Sequence, residues 1–229
     1  MLKNKIVLIG AREQSRRVPY KNMLQIGEHP LIAYSIMTWK QLGEVFVSTD
    51  SDKIAQICDI YDAQTIFRPK DLAEDMSTDY DWIYHFLMEY HKTNEKYQEQ
   101  IIFLRPTTPF RDIKVLFDAI SKFDFLNNTS LRSIEPLPEA IEKSFRIKDN
   151  KLSSVFAMNM EDTNKPSQWF PTSYKGNGYI DILKPDYIIQ YNRLYGDKIQ
   201  AFITPRILEI DTIEDFEYAK FLATKCIEK

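Results

Sequence analysis

The chain has 229 residues, 44% of them hydrophobic, with a formal net charge of -3: enough for one large α/β domain with a small insertion, and no broad basic face for general nucleic-acid binding. No signal-peptide core opens the sequence and no apolar run approaches the roughly 20 residues that span a bilayer, so a soluble, cytoplasmic protein without membrane contact is expected. Cys58 and Cys226 lie in helix-like patterns and read as separate, buried or partly buried thiols, not as a disulfide or metal site.

The run Ile6-Val7-Leu8-Ile9 has the length of a buried strand and opens into Gly10-Ala11, small residues that let a ligand approach the backbone. The loop beyond carries Arg12, Ser15, Arg16, Arg17 and Lys21, is punctuated by Pro19 and closes at Asn22. Fixed guanidinium groups, an ammonium and a hydroxyl suit a triphosphate, whose oxygens accept charge-assisted hydrogen bonds. A solvated basic loop is the alternative, and the position straight after a core strand favours phosphate. Neither GxxxxGK[ST] nor GxGxxG occurs, which excludes P-loop and dinucleotide chemistry as readings of this loop.

Helical spacing begins after Pro30 in LIAYSIMTWKQL and stops at Gly43. A strand at Val45-Phe46-Val47 follows, then a helix in DKIAQICDIYDA with an acidic first turn. Gln64-Thr65-Ile66-Phe67 reads as a strand running into Arg68-Pro69, where the proline holds its predecessor extended. The next helix runs from about Tyr80 to His91 with Ser77, Thr78 or Asp79 as cap. The strand Ile101 to Leu104 ends in Arg105-Pro106-Thr107-Thr108-Pro109-Phe110-Arg111, and Asp112 caps the helix after it. Repeated βα units predict a mostly parallel sheet covered by helices, with ligands at the carboxyl ends of the strands where Arg12, Arg68 and Arg105 sit.

From Pro136 to Lys175 the alternation breaks into a proline-rich arm, residues 136–175, with a hairpin at Phe145 to Val155 turning through Asp149-Asn150. Trp169 and Phe170 need a surface to bury against, and a second copy of the chain offers one, so a homodimer is expected. The core resumes at Gly176 to Ile182, continues in a strand at Ile199 to Ile203, and ends with Ile207 to Asp211 as a last strand before a helix from near Thr212. On that strand Glu209 and Asp211 would point to one side, a spacing that holds Mg²⁺ against substrate phosphates. The alternative is a helix-capping Asp211 beside an exposed Glu209. His29, His85 and His91 show no ligand or triad spacing and read as structural or surface residues.

The signature Ala11-Arg12-x-x-Ser15-x-x-x-Pro19-x-Lys21-Asn22, followed in order by PLIAYSI, VFVSTDSDKIAQIC, IFRPKDLAED, LRPTTPFR, the Asn-Gly of GNGYIDI and EIDTIEDF, resembles the acylneuraminate (CMP-sialic acid) cytidylyltransferases over nearly the whole chain. The resemblance implies a Rossmann-like nucleotidyltransferase fold in one domain, residues 1–229, with helices on both faces of the sheet and a small dimerisation arm. It implies that CTP and a sialic-acid-like nonulosonic acid give a CMP-sugar and pyrophosphate, with Mg²⁺. By matching position, the Ala11 backbone, Arg12, Ser15, Lys21, Asn22 and Arg68 would bind CTP, Asn177 would face the sugar, and Asp211 with Glu209 would hold the metal. Catalysis would come from Arg12, Lys21 and the metal by positioning and charge neutralisation, with Asp211 or metal-bound water as base.

The sequence departs from the family at Glu13-Gln14, where Gly-Gly is usual, and at Arg16, Arg105, Ser167 and Glu209. The departures on the sugar side point to a relative of sialic acid, such as a legionaminic-type acid. There Arg105 could pair the sugar carboxylate bidentately, or form a salt bridge to Asp112 or the arm. Activation of another sugar (Kdo or a sugar 1-phosphate) and a catalytically silent nucleotide binder are the competing readings.

Overall fold

Period-two burial organises the sheet, and both of its faces are covered. The computed structural model describes residues 5–40, 43–94, 99–157 and 159–227, with side chains described as far as residue 224. Its elements are β1 (Lys5–Gly10), β2 (Gln25–Ile26), β3 (His29–Pro30), α1 (Leu31–Lys40), β4 (Val45–Thr49), α2 (Asp52–Ile60), β5 (Gln64–Phe67), α3 (Asp79–Thr93) and β6 (Gln100–Leu104). They continue with α4 (Ile113–Lys122), β7 (Ser130–Pro136), β8 (Phe145–Lys148), β9 (Lys151–Ser154), β10 (Tyr174–Leu183), α5 (Pro185–Tyr191), β11 (Ile199–Ile203) and α6 (Ile213–Ile227). A seven-stranded sheet runs in the order β11-β7-β10-β6-β1-β4-β5, with β2-β3 and β8-β9 as separate ribbons. Only β10 is antiparallel to its neighbours in that sheet.

Successive side chains of β1 alternate between two cores. Val7 and Ile9 pack with Ile36, Trp39, Ile54 and Leu116 from α1, α2 and α4. Ile6 and Leu8 pack with Phe46, Phe103 and, from α3, Trp82 and Phe86. Burial on both faces is why these strands read as unbroken apolar runs. From β1 the chain steps to β4 and β5, then crosses back to β6 on β1's other side. That reversal leaves a crevice at the carboxyl ends of β1 and β6, where open α/β sheets bind ligands.

Local signals explain the helix starts. Thr78 and Asp81 form a capping box at α3, and the Asp112 side chain accepts from the Lys114 N–H at α4. In the arm, Asp149 and Asn150 both adopt positive φ, 51° and 59°, as a two-residue hairpin turn demands. Among the described residues no helix is long and apolar enough to cross a membrane.

Several expectations need correction. Ser130–Pro136 forms a strand that sequence pattern missed, because its arginine and serines break the apolar run. Its partner β10 begins at Tyr174, so the irregular arm spans 137–173 and not 136–175. Residues 207–211 are not a sheet strand; Ile210 is tied instead by its N–H to the Thr107 carbonyl, 2.8 Å away. Gly10 is small chiefly because the α3 indole leans on it: a Cβ there would stand 2.6 Å from Trp82. Cys58 is buried, and burial pushes its thiol up to about 11; the Cys226 side chain lies outside the described residues.

Candidate active site

The loop after β1 is fastened before it reaches the cleft. The Ala11 N–H donates to the Ser48 carbonyl at 3.0 Å, and Ala11 is fully buried. The Glu13 N–H donates to Asp50 Oδ1 at 2.9 Å, while the Glu13 carboxylate pairs with Lys53 at 3.5 Å. The backbone bond pins residue 13 to the end of β4 whatever its side chain, and the ion pair to Lys53 is the contact that Gly-Gly would lack. Arg12 swings to the opposite lip, where it donates to the Ala73 carbonyl and pairs with Asp75 at 2.7 Å. Asn22 holds the returning strand of the loop by donating to the Arg12 carbonyl at 3.1 Å.

Tyr20, at φ 56°, turns the chain into a single 3-10 turn, Lys21–Met23. Its first residue points inward: Lys21 Nζ donates to the Ile210 carbonyl at 2.5 Å and lies 3.7 Å from Asp211. Arg17 reaches the other oxygen of Asp211 at 3.3 Å. Burial pulls the Lys21 pKa down, and Asp211 partly restores it. Arg68, 7% exposed, stacks 5.0 Å from the Trp82 ring and donates to the Ser48 carbonyl. Burial lowers its guanidinium to about 10, and its Nε has no hydrogen-bond partner.

These groups surround one cleft of about 470 Å³, lined among others by Arg12, Ser15, Arg16, Arg17, Lys21, Asn22, Arg68, Arg105 and Asp211. Besides Asp211, the carboxylates of Glu74, Asp75 and Asp79 also line it, and fixed cations of this kind are suited to hold and orient a polyphosphate. A cytidylyltransferase family profile matches residues 6–226. The chain belongs to the cytidylyltransferase family. It is 28% identical to the N-acylneuraminate cytidylyltransferase of Escherichia coli over 93% of its own length and 51% of that protein's, so it spans about half of that relative. It is 26% identical to the pseudaminic acid cytidylyltransferase of Campylobacter jejuni over 95% of both chains. A solved structure of CMP:2-keto-3-deoxy-manno-octonic acid synthetase complexed with CTP superposes with a TM-score of 0.70 at 17% identity, covering 96% of this chain and 98% of that one, a likeness of fold.

Other predicted residues are committed to contacts within the fold. Asn177 is 1% exposed and acts as an internal strut: its amide donates to Thr204 Oγ1 at 2.6 Å and to Glu135 at 3.3 Å. Arg105 lines the cleft, yet its guanidinium is already engaged, by Asp79 at 2.7 Å and Asp181 at 2.9 Å, rather than by Asp112 or the arm. Burial would lower its pKa, but Asp181 and Asp79 outweigh that and raise it. The backbone N–H of Ala11 is likewise committed within the fold.

Asp211 lines the cleft and Glu209 does not; the Glu209 pKa is raised by burial first and by Asp211 second. Thr212 and Asp215, not Asp211, cap the last helix. Asp211 in the cleft lining offers one carboxylate to a divalent cation, which takes one or two protein carboxylates and completes its shell with other oxygen ligands. No group of three or more potential metal-binding side chains occurs among the described residues. A raised carboxyl pKa means the folded state binds more protons than the unfolded one, so stability falls as pH climbs from the ordinary glutamate range through the raised value. Glu209→Gln is therefore expected to melt higher than wild type at neutral pH, the gap closing as the pH drops below the ordinary glutamate range. Melting curves at several pH values, with and without Mg²⁺, check this; a pH-independent gap would overturn it.

Sequence pattern missed Arg111, Asp79, Asp181 and Tyr195. Arg111 donates to five acceptors: Tyr179 O, Ser35 Oγ, and the carbonyls of Thr108, Arg105 and Gly178. Asp181, fully buried, was the detectable one, since a lone carboxylate within an apolar strand needs a cation.

Proposed function

We propose that the chain transfers CMP from CTP to a sialic-acid-like nonulosonic acid, releasing pyrophosphate. The observation that carries this reading is the cleft that gathers Arg12, Lys21 and Asn22 from the loop after β1 with Arg68 from the end of β5, and has Asp211 in its lining. In this reading Arg12, Ser15, Lys21 and Arg68 hold the triphosphate, and Asn22 fixes the loop that carries the first three. The anomeric hydroxyl of the acid attacks the α-phosphorus in line; the new O–P bond forms as the bond to pyrophosphate breaks. The hydroxyl proton passes to the Asp211 carboxylate. Mg²⁺ held by Asp211 and Glu209 would neutralise phosphate charge.

The reading places the reaction in the cytoplasm, where CTP is available, and makes the chain a homodimer. Support for the dimer is the apolar surface of the arm, where Ile147 is 76%, Phe156 58% and Trp169 73% exposed. Sedimentation equilibrium that returns a single chain at micromolar concentration would remove the dimer from this reading.

The test is pyrophosphate release from CTP and Mg²⁺ with N-acetylneuraminic, legionaminic and pseudaminic acids and 2-keto-3-deoxy-manno-octonic acid. Release is expected with a nonulosonic acid other than N-acetylneuraminic acid, and none with the octonic acid. Equal turnover of N-acetylneuraminic acid would sink the acceptor assignment. Release with the octonic acid alone would move the acceptor class, and CTP binding without release would mark a silent binder.

A further inference from the structure

Arg12 is the first cation of the cleft, and its guanidinium is already occupied. The backbone around it is held to the β1 side: the Ala11 N–H donates to the Ser48 carbonyl, the Glu13 N–H to Asp50, and the Asn22 amide to the Arg12 carbonyl. The side chain leaves that wall. Its Nη1 donates to the Ala73 carbonyl at 3.2 Å, and its Nη2 meets Asp75 Oδ1 at 2.7 Å. Arg12, Ala73 and Asp75 all line the cleft, so this tie joins two of its walls.

The second wall is a lip, residues 69–77, that runs from the buried Arg68 to the capping box of α3. Its hydrogen bonds are local. The Leu72 N–H donates to the Pro69 carbonyl, the Ser77 N–H to the Glu74 carbonyl, and the Ser77 hydroxyl to the Asp71 carbonyl. Leu72 packs against the core cluster of Trp82 and Phe86, whereas Glu74, Asp75 and Met76 are exposed, Met76 at 88%. Among the described residues, the only hydrogen bond and ion pair that tie 69–77 to a distant part of the chain are those of Arg12. A segment with so few remote ties opens at low cost.

Phosphate competes for the same guanidinium. A triphosphate brings several charged oxygens, whereas Asp75 brings one carboxylate that is 55% exposed, where water screens the pair. Once Arg12 turns to phosphate, the carboxylates of Glu74 and Asp75 are left facing negative charge and are repelled. We infer that the Arg12–Asp75 pair is a latch on the empty cleft, and that the triphosphate opens it by taking Arg12 from Asp75 and releasing the lip. The inference rests on the proposed use of Arg12 for CTP and adds the conformational step that accompanies binding. Because the latch must break, the apparent affinity for CTP lies below that of an unlatched cleft.

Asp75→Asn keeps the shape of the side chain and removes its charge. The variant is expected to bind CTP about two- to fivefold more tightly than wild type, the range of one exposed ion pair, in calorimetry without divalent cation. Glu74→Gln removes a neighbouring carboxylate of the same cleft that pairs with no cation among the described residues, and is expected to tighten CTP less. In the free proteins, amide hydrogen exchange across 70–77 is expected to be faster in Asp75→Asn than in wild type, and equal over β1 and α3. Unchanged or weaker CTP binding by Asp75→Asn, equal tightening by Glu74→Gln, or unaltered exchange of the lip overturns the latch and leaves the reaction standing. Wild type that binds no CTP overturns the use of Arg12 for the triphosphate, and the latch with it.

Discussion

Lys21→Ala is expected to lower kcat for pyrophosphate release by on the order of 10²- to 10³-fold, the effect of removing one fixed charge from a transition-state site. Lys21 is 9% exposed, and its ammonium sits where burial lowers its pKa. A group held charged against that penalty gains most when a triphosphate arrives, because each phosphate oxygen restores the solvation that burial removed. The ammonium is aimed by the 3-10 turn and by the Ile210 carbonyl, so little reorganisation is needed as negative charge moves toward the leaving pyrophosphate. Loss of uniform binding alone would raise the KM for CTP and spare kcat. Steady-state rates at saturating CTP separate the two, and a kcat within about fivefold of wild type would remove Lys21 from the catalytic set. Folding is not expected to suffer, since the substitution relieves a desolvated charge and leaves Asp211 paired with Arg17.

Arg111→Met is expected to destabilise the protein by roughly 3–5 kcal/mol, the usual consequence of stripping one partner from a buried polar network. The guanidinium is lowered to about 9 by burial, so removing its charge recovers part of the loss. The stranded acceptors decide the sign. The carbonyls of Arg105 and Thr108 belong to the turn after β6, and those of Gly178 and Tyr179 to the irregular stretch of β10. Without Arg111 these carbonyls lose their shared donor, and the two segments lose their common tie. Chemical denaturation measures the change, and a loss below about 1 kcal/mol would mean that water replaces the guanidinium.

Local chemistry determined much of this protein within the sequence alone. The unbroken runs at Ile6 to Ile9, Val45 to Val47 and Ile101 to Leu104, each leading to a helix, are consequences of strands covered on both faces. The caps at Thr78 and Asp112 and the hairpin at Asp149-Asn150 were legible because their physics acts within a few residues. The basic loop after the first strand was legible for the same reason, as was the family to which its residues belong.

Only the tertiary structure decided which cations remain open. Arg105 meets Asp79, Asp181 and Tyr195 from distant parts of the chain, and Asp181 reaches it only because β10 enters the sheet beside β6. Asn177, which looked like a sugar contact, is turned inward by Glu135 and Thr204 from two other strand ends. Ser130–Pro136 became a strand because β10 and β11 flank it, not because its own residues alternate cleanly. Side-chain period is a property of the local backbone, whereas the partner of a charge is set by strand order, and strand order exists only once the sheet has closed around β1.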